Sequence, residues 1–393
     1  MNSNDPLIID DGDRYSRMRL IAWWDQEKIR NAKVLVVGLG ALGNEVTKNL
    51  VLMGIGDIYA IDLDCVEDSN LTRSVLFRES DNGKSKVDAA ARALYDMNQD
   101  SRVHPVHGNV MTDIGLGLVR DVDVVIGCLD NREARLWVNR MCWKVGTPWV
   151  DGGIQEINGV AKVFVPPDGS CYECAMTEND YRLINLRYSC PLLKREDILE
   201  GKVPTAPTIS SIIAGLQTQE ALKLIHGMEV ESGGAMVFNG VANRFYKTKY
   251  QHRSDCLSHD VYPQPRGSGL SVEDELSRLF SVAQKELSGH EVVLKLDRDL
   301  VTEFFCPKCE VAEPIHQPTQ TVDAGLLVCP ECNHQRTPKM THHIESDSPL
   351  LQRMIGDCGI ARYDIVRFCT EELEVCLELD ADRVWNHPYK PSS

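Results

Sequence analysis

Four cysteines carry the most specific chemistry in the sequence. Cys306-Pro-Lys-Cys309 and Cys329-Pro-Glu-Cys332 are separated by 19 residues, the spacing at which two thiolate pairs close on one tetrahedral zinc ion. Four thiolates leave no open coordination position, so the expectation is structural Zn2+; paired redox thiols are the alternative. A second constellation begins at Gly38-Leu-Gly40-Ala-Leu-Gly43, which follows the apolar run Val34–Val37 and precedes a helix-spaced segment. Glycines at this spacing permit a tight turn and close phosphate approach at a helix N-terminus. Asp62, at the end of the next apolar run, stands where a carboxylate can hold a ribose hydroxyl. Taken alone, this pattern suits NAD and a dehydrogenase. The residues after Asp62 argue for ATP instead: Asn70 and Arg73 follow closely, then Lys84 and Lys86. A dinucleotide needs no such cluster, whereas a triphosphate with a pyrophosphate leaving group does. Asp130 ends a further apolar run, where a carboxylate facing phosphates would hold Mg2+. The alternatives are solvated surface charges for Arg73 and Lys86, and a helix cap for Asp130.

Positioning these groups requires an alternating chain. Apolar strand runs at 34–37, 58–62, 103–107, 122–129 and 148–151 alternate with helical spacing at 14–32, 44–53, 84–97 and 131–144. This is the βαβ pattern of a doubly wound sheet. A loop-rich stretch spans 166–207, an apolar helix 208–226, and strand-like runs 235–250. Residues 262–270 have the Pro/Gly/Ser content of a linker. Ser271 and Asp274 then make a capping-box-like start to a helix through about 287, and 290–393 reads as β-rich. The predicted fold is α/β: a doubly wound, mostly parallel Rossmann-like sheet with a smaller zinc-containing β-rich C-terminal module. The predicted domains are 1–261 and 271–393, joined by the linker.

The chain has 393 residues, 14 cysteines and a formal charge of −16. The acidity argues against nucleic acid or an anionic membrane as the main partner and favours a basic protein partner. No stretch approaches the ~18 apolar residues that span a bilayer. The polar, acidic N-terminus is unlike a secretory signal, so a cytoplasmic setting is expected. Cys65, Cys128, Cys142, Cys358, Cys369 and Cys376 are read as packing thiols, and Trp23-Trp24 as core or dimer surface.

With these residues assembled, the sequence resembles the ThiF-type adenylyltransferases, the superfamily of ubiquitin-activating enzymes and the activators of bacterial sulfur carriers. The matching stretches are Arg14-Tyr-Ser-Arg17, residues 38–43, Asp62 to Arg73, Lys86, Asp130-Asn131-x-x-x-Arg135, Pro148 to Gly153, Cys171-Tyr-Glu-Cys174 and 208–226, together covering roughly residues 10–260. The resemblance implies adenylation of the C-terminal carboxylate of a ubiquitin-like protein, with Asp62 on the ribose, Asn70, Arg73 and Lys86 on the phosphates, and Asp130 on magnesium. It implies that Arg17 acts across a homodimer interface. It pairs Cys171 and Cys174 with Cys256-Leu-Ser-His259 in a second Zn2+ site, where His252 is a rival to His259. In ubiquitin-activating relatives the thioester-forming cysteine lies in the interval that holds Cys190 here; an unreactive or sulfur-handling thiol is the alternative. Ala41 and Ser74 depart from the glycine and glutamine common in the family. Ubiquitin-type activators also commonly end in a ubiquitin-fold module that recruits a conjugating enzyme, and Leu350–Asp380 is a candidate for it. The implied function is that of a prokaryotic ubiquitin-like-protein activating enzyme whose partner ends in Gly-Gly. The rivals are an adenylyltransferase for a sulfur carrier and a zinc-stabilised binding scaffold without catalysis.

Overall fold

The computed structural model describes residues 13–189, 204–384 and 387–391. An eight-stranded sheet dominates the N-terminal part. Its strands are β1 (Lys33–Val37), β2 (Asp57–Asp62), β3 (Arg102–His107), β4 (Val124–Gly127), β5 (Trp149–Gln155), β6 (Asn158–Phe164), β7 (Gly234–Asn239) and β8 (Arg244–Lys249), in the order β3-β2-β1-β4-β5-β6-β7-β8. The first five pair in parallel; β6, β7 and β8 complete the sheet in antiparallel pairing, with β5–β6 and β7–β8 as hairpins. Alternate side chains of β1 enter two different cores: Val34 and Val36 join one, Leu35 and Val37 the other. Both faces of the strand are thus buried, which is why its sequence is a continuous apolar run. Helices α1 (Gln26–Asn31), α2 (Ala41–Met53), α3 (Lys86–Met97), α4 (Leu116–Asp121), α5 (Arg132–Val145), α6 (Glu178–Ser189) and α7 (Pro207–His226) flank the sheet. Strand order reverses between β1 and β4, and ligands in open α/β sheets bind at the carboxyl ends of strands beside such a switch.

A second sheet orders its strands β11-β10-β13-β14-β9, with β12 also on β10. These are β9 (Arg266–Gly267), β10 (Val293–Cys306), β11 (Val311–Pro318), β12 (Thr337–Ile344), β13 (Ile365–Cys369) and β14 (Glu374–Glu378). Helix α8 (Leu276–Glu286) lays Leu276, Leu279, Phe280 and Ala283 onto it, the i, i+3, i+4, i+7 stripe of an amphipathic helix. The two parts meet closely. Gly117 N donates to Tyr363 O (2.9 Å), Leu116 N to Asp364 Oδ1 (2.8 Å), and Arg120 pairs with Glu378 at 2.7 Å. A Cβ at Gly115 would lie 2.3 Å from Arg362 O, so this approach requires glycine. Among the described residues, no helix is long and apolar enough to cross a membrane.

Three helical expectations are revised. Residues 14–32 form not one helix but a 3-10 turn at Met18–Leu20 and the short α1. Buried Tyr15 pins the chain by donating to Asp100 Oδ2 (2.9 Å) and accepting from Asn98 (2.7 Å), and Asp25 restarts the helix as an N-cap. Helix α8 begins at Leu276 rather than Ser271, because the carbonyls of Val272 and Asp274 accept from Gly356 N and Ile355 N. Backbone committed to that pairing cannot serve a first helical turn. Finally, the loop-rich stretch contains α6, opened by a reciprocal box in which Thr177 N donates to Asp180 and Asp180 N to Thr177 Oγ1.

Candidate nucleotide and zinc sites

The glycine loop turns from β1 into α2 at the switch between strands. Gly38 has φ +92°, and a Cβ there would meet Cys128 O at 2.6 Å. A Cβ on Gly43 would lie 1.9 Å from Gly38 O, whereas at Gly40 nothing approaches within 4 Å. Two glycines therefore close the turn and the middle one leaves open space at the N-terminus of α2, as phosphate binding requires. Ala41, where the family commonly has glycine, is the first helical residue and fits without strain. Asn44 fixes the turn from inside, donating to Leu39 O (2.7 Å) and accepting from Leu76 N (2.9 Å).

Asp62 sits at the carboxyl end of β2, and its carboxylate accepts from Leu39 N (2.6 Å) and Asp64 N (2.8 Å). Burial pushes its pKa up, opposed by Lys86 and these two amides. Lys86, itself buried at the start of α3, places Nζ 2.8 Å from Asp64 Oδ2 and 4.0 Å from Asp62 Oδ1. The charge of Asp130 also acts to raise the Lys86 pKa, so Asp62, Lys86 and Asp130 form one charged cluster. Asp130 is exposed, and the cap of α5 is Asn131, which accepts from Ala134 N at 2.8 Å. The capping alternative for Asp130 thus falls away, and among the described residues its exposed carboxylate accepts only a long hydrogen bond from Asn131 Nδ2 (3.4 Å). Arg73 is half-buried and Nη1 donates to Ser69 O (2.7 Å), while Asn70 Oδ1 accepts from Glu67 N (3.0 Å). Arg17 is exposed, two residues beyond the Tyr15 anchor.

Both cysteine constellations converge. Cys171 Sγ lies 3.8 Å from Cys174 Sγ and 3.5 Å from Cys256 Sγ, and His259 Nε2 is 3.4 Å from Cys174 Sγ. Cys306–Cys332 and Cys309–Cys329 are 3.6 and 4.0 Å apart. A tetrahedron with Zn–S bonds of 2.3 Å has edges of about 3.8 Å, so both donor sets fit zinc, and each set lies within 4.8 Å. Burial, then the neighbouring His252, holds the His259 pKa below its usual value, favouring the neutral ligand form. His252 stacks on His259 (ring centroids 4.7 Å) and is not in the donor set, which decides between the two.

The ThiF family model matches residues 13–258, a span that contains the glycine loop, the Asp62, Lys86 and Asp130 cluster and the three cysteines of the Cys3His set, with His259 one residue beyond it. The chain belongs to the ThiF family. Relatives include a protein named ubiquitin-like modifier-activating enzyme 5 from Drosophila virilis, 31% identical over 88% of both chains. Another, from Dictyostelium discoideum and with the same name, is 31% identical over 63% of this chain and 67% of its own length. Adenylyltransferase and sulfurtransferase MOCS3-1 of Drosophila pseudoobscura pseudoobscura is 32% identical over 66% of this chain and 55% of that protein. Among solved structures, Escherichia coli MccB with ATP is similar at TM-score 0.52 and 26% identity, over 63% of this chain and 74% of that one.

Within the ThiF domain, several buried contacts behind the candidate site take on meaning only in the folded chain. Fully buried Asp151 takes Arg135 Nε (3.0 Å) and Lys162 Nζ (2.9 Å) together. Gln217 of α7 donates to Gly127 O at 2.8 Å. Between the first two zinc ligands, buried Glu173 gathers Arg140 (2.7 Å), Tyr181 (2.7 Å) and Ser258, tying α5, α6 and the second ligand pair to the site. Arg135, Asp151, Glu173 and Gln217 fall inside stretches that carry the family resemblance, but that resemblance gave none of them a role, and Lys162 lies outside those stretches. Of the packing thiols, Cys128, Cys142, Cys358, Cys369 and Cys376 are buried as expected, but Cys65 is exposed. It lies beyond the end of β2, where the chain bends to bridge Ser85, so the strand pattern no longer buries it. Cys190 lies outside the described residues; α6 ends at Ser189, immediately before it.

Proposed function

We propose that this chain activates a ubiquitin-like protein ending in Gly-Gly, first as an acyl-adenylate and then as a thioester on Cys190. The observation that carries this reading is the similarity to the Drosophila virilis activating enzyme over 88% of both chains, which extends past the ThiF region into the C-terminal module. The charged crevice suits the first step. A carboxylate oxygen of the partner attacks the α-phosphorus of ATP; the O–P bond forms, the bond to the β-phosphate oxygen breaks, and pyrophosphate leaves. Asp62 would hold the ribose, the open space at Gly40 would admit the phosphates, and Asn70, Arg73 and Lys86 would balance their charge. Asp130 would hold Mg2+, which supplies further neutralisation of the phosphates. Arg17 would complete the site from the second protomer of a homodimer. In the second step the Cys190 thiolate attacks the acyl carbon, forming C–S, breaking C–O and releasing AMP. The module at 271–393 would then bring a conjugating enzyme whose cysteine takes over the acyl group. Both zinc sites are closed by four protein donors and would hold the fold.

Transfer to a sulfur carrier is the second reading, favoured by the similarity to MOCS3-1. Incubation with ATP and ubiquitin-like proteins ending in Gly-Gly, followed by non-reducing electrophoresis, separates the two. The first reading expects a dithiothreitol-sensitive adduct that Cys190→Ala abolishes while adenylation persists. Adenylation without an adduct in the unaltered chain would favour the sulfur-carrier reading.

A further inference from the structure

We infer that Arg135 is the positioning residue for the Asp130 carboxylate, setting its aim toward magnesium; the inference rests on the adenylation reading above. Arg135 lies one turn into α5, and its guanidinium reaches back to the turn after β4 and to the middle of β5. Nε donates to Asp151 Oδ1 (3.0 Å), and Nη2 to Gly152 O (2.9 Å) and to Leu129 O. Asp151 is wholly buried and also takes Lys162, so it anchors the fork from below. Leu129 is the residue before Asp130 and lies two residues past the end of β4, while Gly152 lies within β5, next after the Asp151 that pairs with Gly127. One planar cation therefore joins the peptide that precedes Asp130 to the middle of β5, just past the carboxyl end of β4.

The Asp130 carboxylate itself has weak local support: the hydrogen bond it receives from Asn131 Nδ2 is 3.4 Å long. Asn131 is occupied in capping α5. The direction of Asp130 is then set by the path of its backbone, and Arg135 holds that path at the preceding carbonyl. Charge neutralisation of Asp151 alone does not need this geometry, because Lys162 already faces the other carboxylate oxygen at 2.9 Å. The rigid fork spreads its donors over separate nitrogens, Nε toward the carboxylate and Nη2 toward the two carbonyls, a spacing that an ammonium with all its donors on one nitrogen does not reproduce. Groups that support a metal ligand from behind commonly change metal affinity ten- to hundredfold when altered.

The test uses a fluorescent ATP analogue titrated into the full chain with and without Mg2+. In the unaltered protein Mg2+ tightens binding, and Asp130→Ala removes that tightening while leaving magnesium-free affinity in place. Arg135→Lys keeps the charge opposite Asp151, and circular dichroism checks that it folds. It is expected to raise the Mg2+ concentration for half-maximal tightening at least tenfold, with magnesium-free affinity within about twofold of the parent. Lys162→Met removes the other cation from Asp151 without touching Leu129 O, and leaves the Mg2+ midpoint unchanged. An unchanged midpoint in Arg135→Lys overturns the inference, as does equal weakening with and without Mg2+, or a shift as large in Lys162→Met. A parent chain that binds no ATP analogue overturns the adenylation reading itself, and this inference with it.

Discussion

Lys86 is a buried ammonium between two carboxylates. Burial alone would lower its pKa, but attraction to Asp62, then Asp64 and Asp130, outweighs this and holds it above the usual lysine value. It therefore keeps its charge at neutral pH, ready for an anionic ligand. The three loop glycines make a sharper residue-scale test, because their surroundings differ. Gly40→Ala places a methyl in open space and is expected to leave the melting temperature unchanged while weakening ATP binding. Gly43→Ala collides with Gly38 O and is expected to lose the fold of the loop, seen as a lower melting temperature; equal melting temperatures for the two would contradict this geometry. Away from the crevice, Asp57 accepts from Arg102 (2.8 and 2.6 Å) and pairs with His104 at 2.9 Å. Burial raises its pKa, but the hydrogen bonds from His104 and then Arg102 outweigh that and bring it well below the usual carboxylate range. A depressed folded-state pKa stabilises above the unfolded value near 4 and is lost as pH falls below it. Asp57→Asn is therefore expected to cost about 2 kcal/mol in urea unfolding at pH 7, with the gap narrowing below about pH 4.

At the scale of elements, the parts legible in sequence were those with local signals. The parallel strands announce themselves as apolar runs because both faces are buried, and the two Cys-x-x-Cys pairs of β10–β12 because metal spacing is a sequence property. The site-supporting contacts were not legible, since Asp151, Lys162, Glu173 and Gln217 acquire meaning only when separate strands and helices meet. Residues 14–32 misled because a helical apolar pattern says nothing of Tyr15, whose partners Asn98 and Asp100 lie more than 80 residues away. Helix α6 went unseen although Thr177 and Asp180 offered a box; its polar first turn gave no apolar stripe to follow. The zinc elements yield a direct expectation: two zinc ions per chain by elemental analysis. His259→Ala should lose one of them and loosen the Glu173 network, and Cys309→Ser should lose the other and destabilise β10–β12. A chain that retains both ions after His259→Ala would contradict the Cys3His assignment.

For the whole molecule, the net charge of −16 and the chemistry of the crevice point in different directions, and the crevice decides. In the proposed site Arg73 and Lys86 would face one ligand locally, while the acidic remainder would favour a basic protein partner. The C-terminal module is not loosely tethered: Arg120, Tyr363 and Glu378 bind it to α4, the helix that leads into β4 and so toward Asp130. Partner recruitment on the module would thus occur at a fixed distance from the nucleotide crevice. The most direct test of carboxylate activation is ATP–pyrophosphate exchange with a panel of ubiquitin-like proteins, each supplied with a free Gly-Gly carboxylate and with the same terminus capped as an amide. Exchange should require one free-carboxylate partner, vanish with its amide form, and fall at least a hundredfold in Arg73→Ala and Asp130→Ala, roughly the loss of one or more charge-assisted contacts to the reacting phosphates. Exchange that proceeds without a partner, persists with the amide or survives both substitutions would contradict the proposed function.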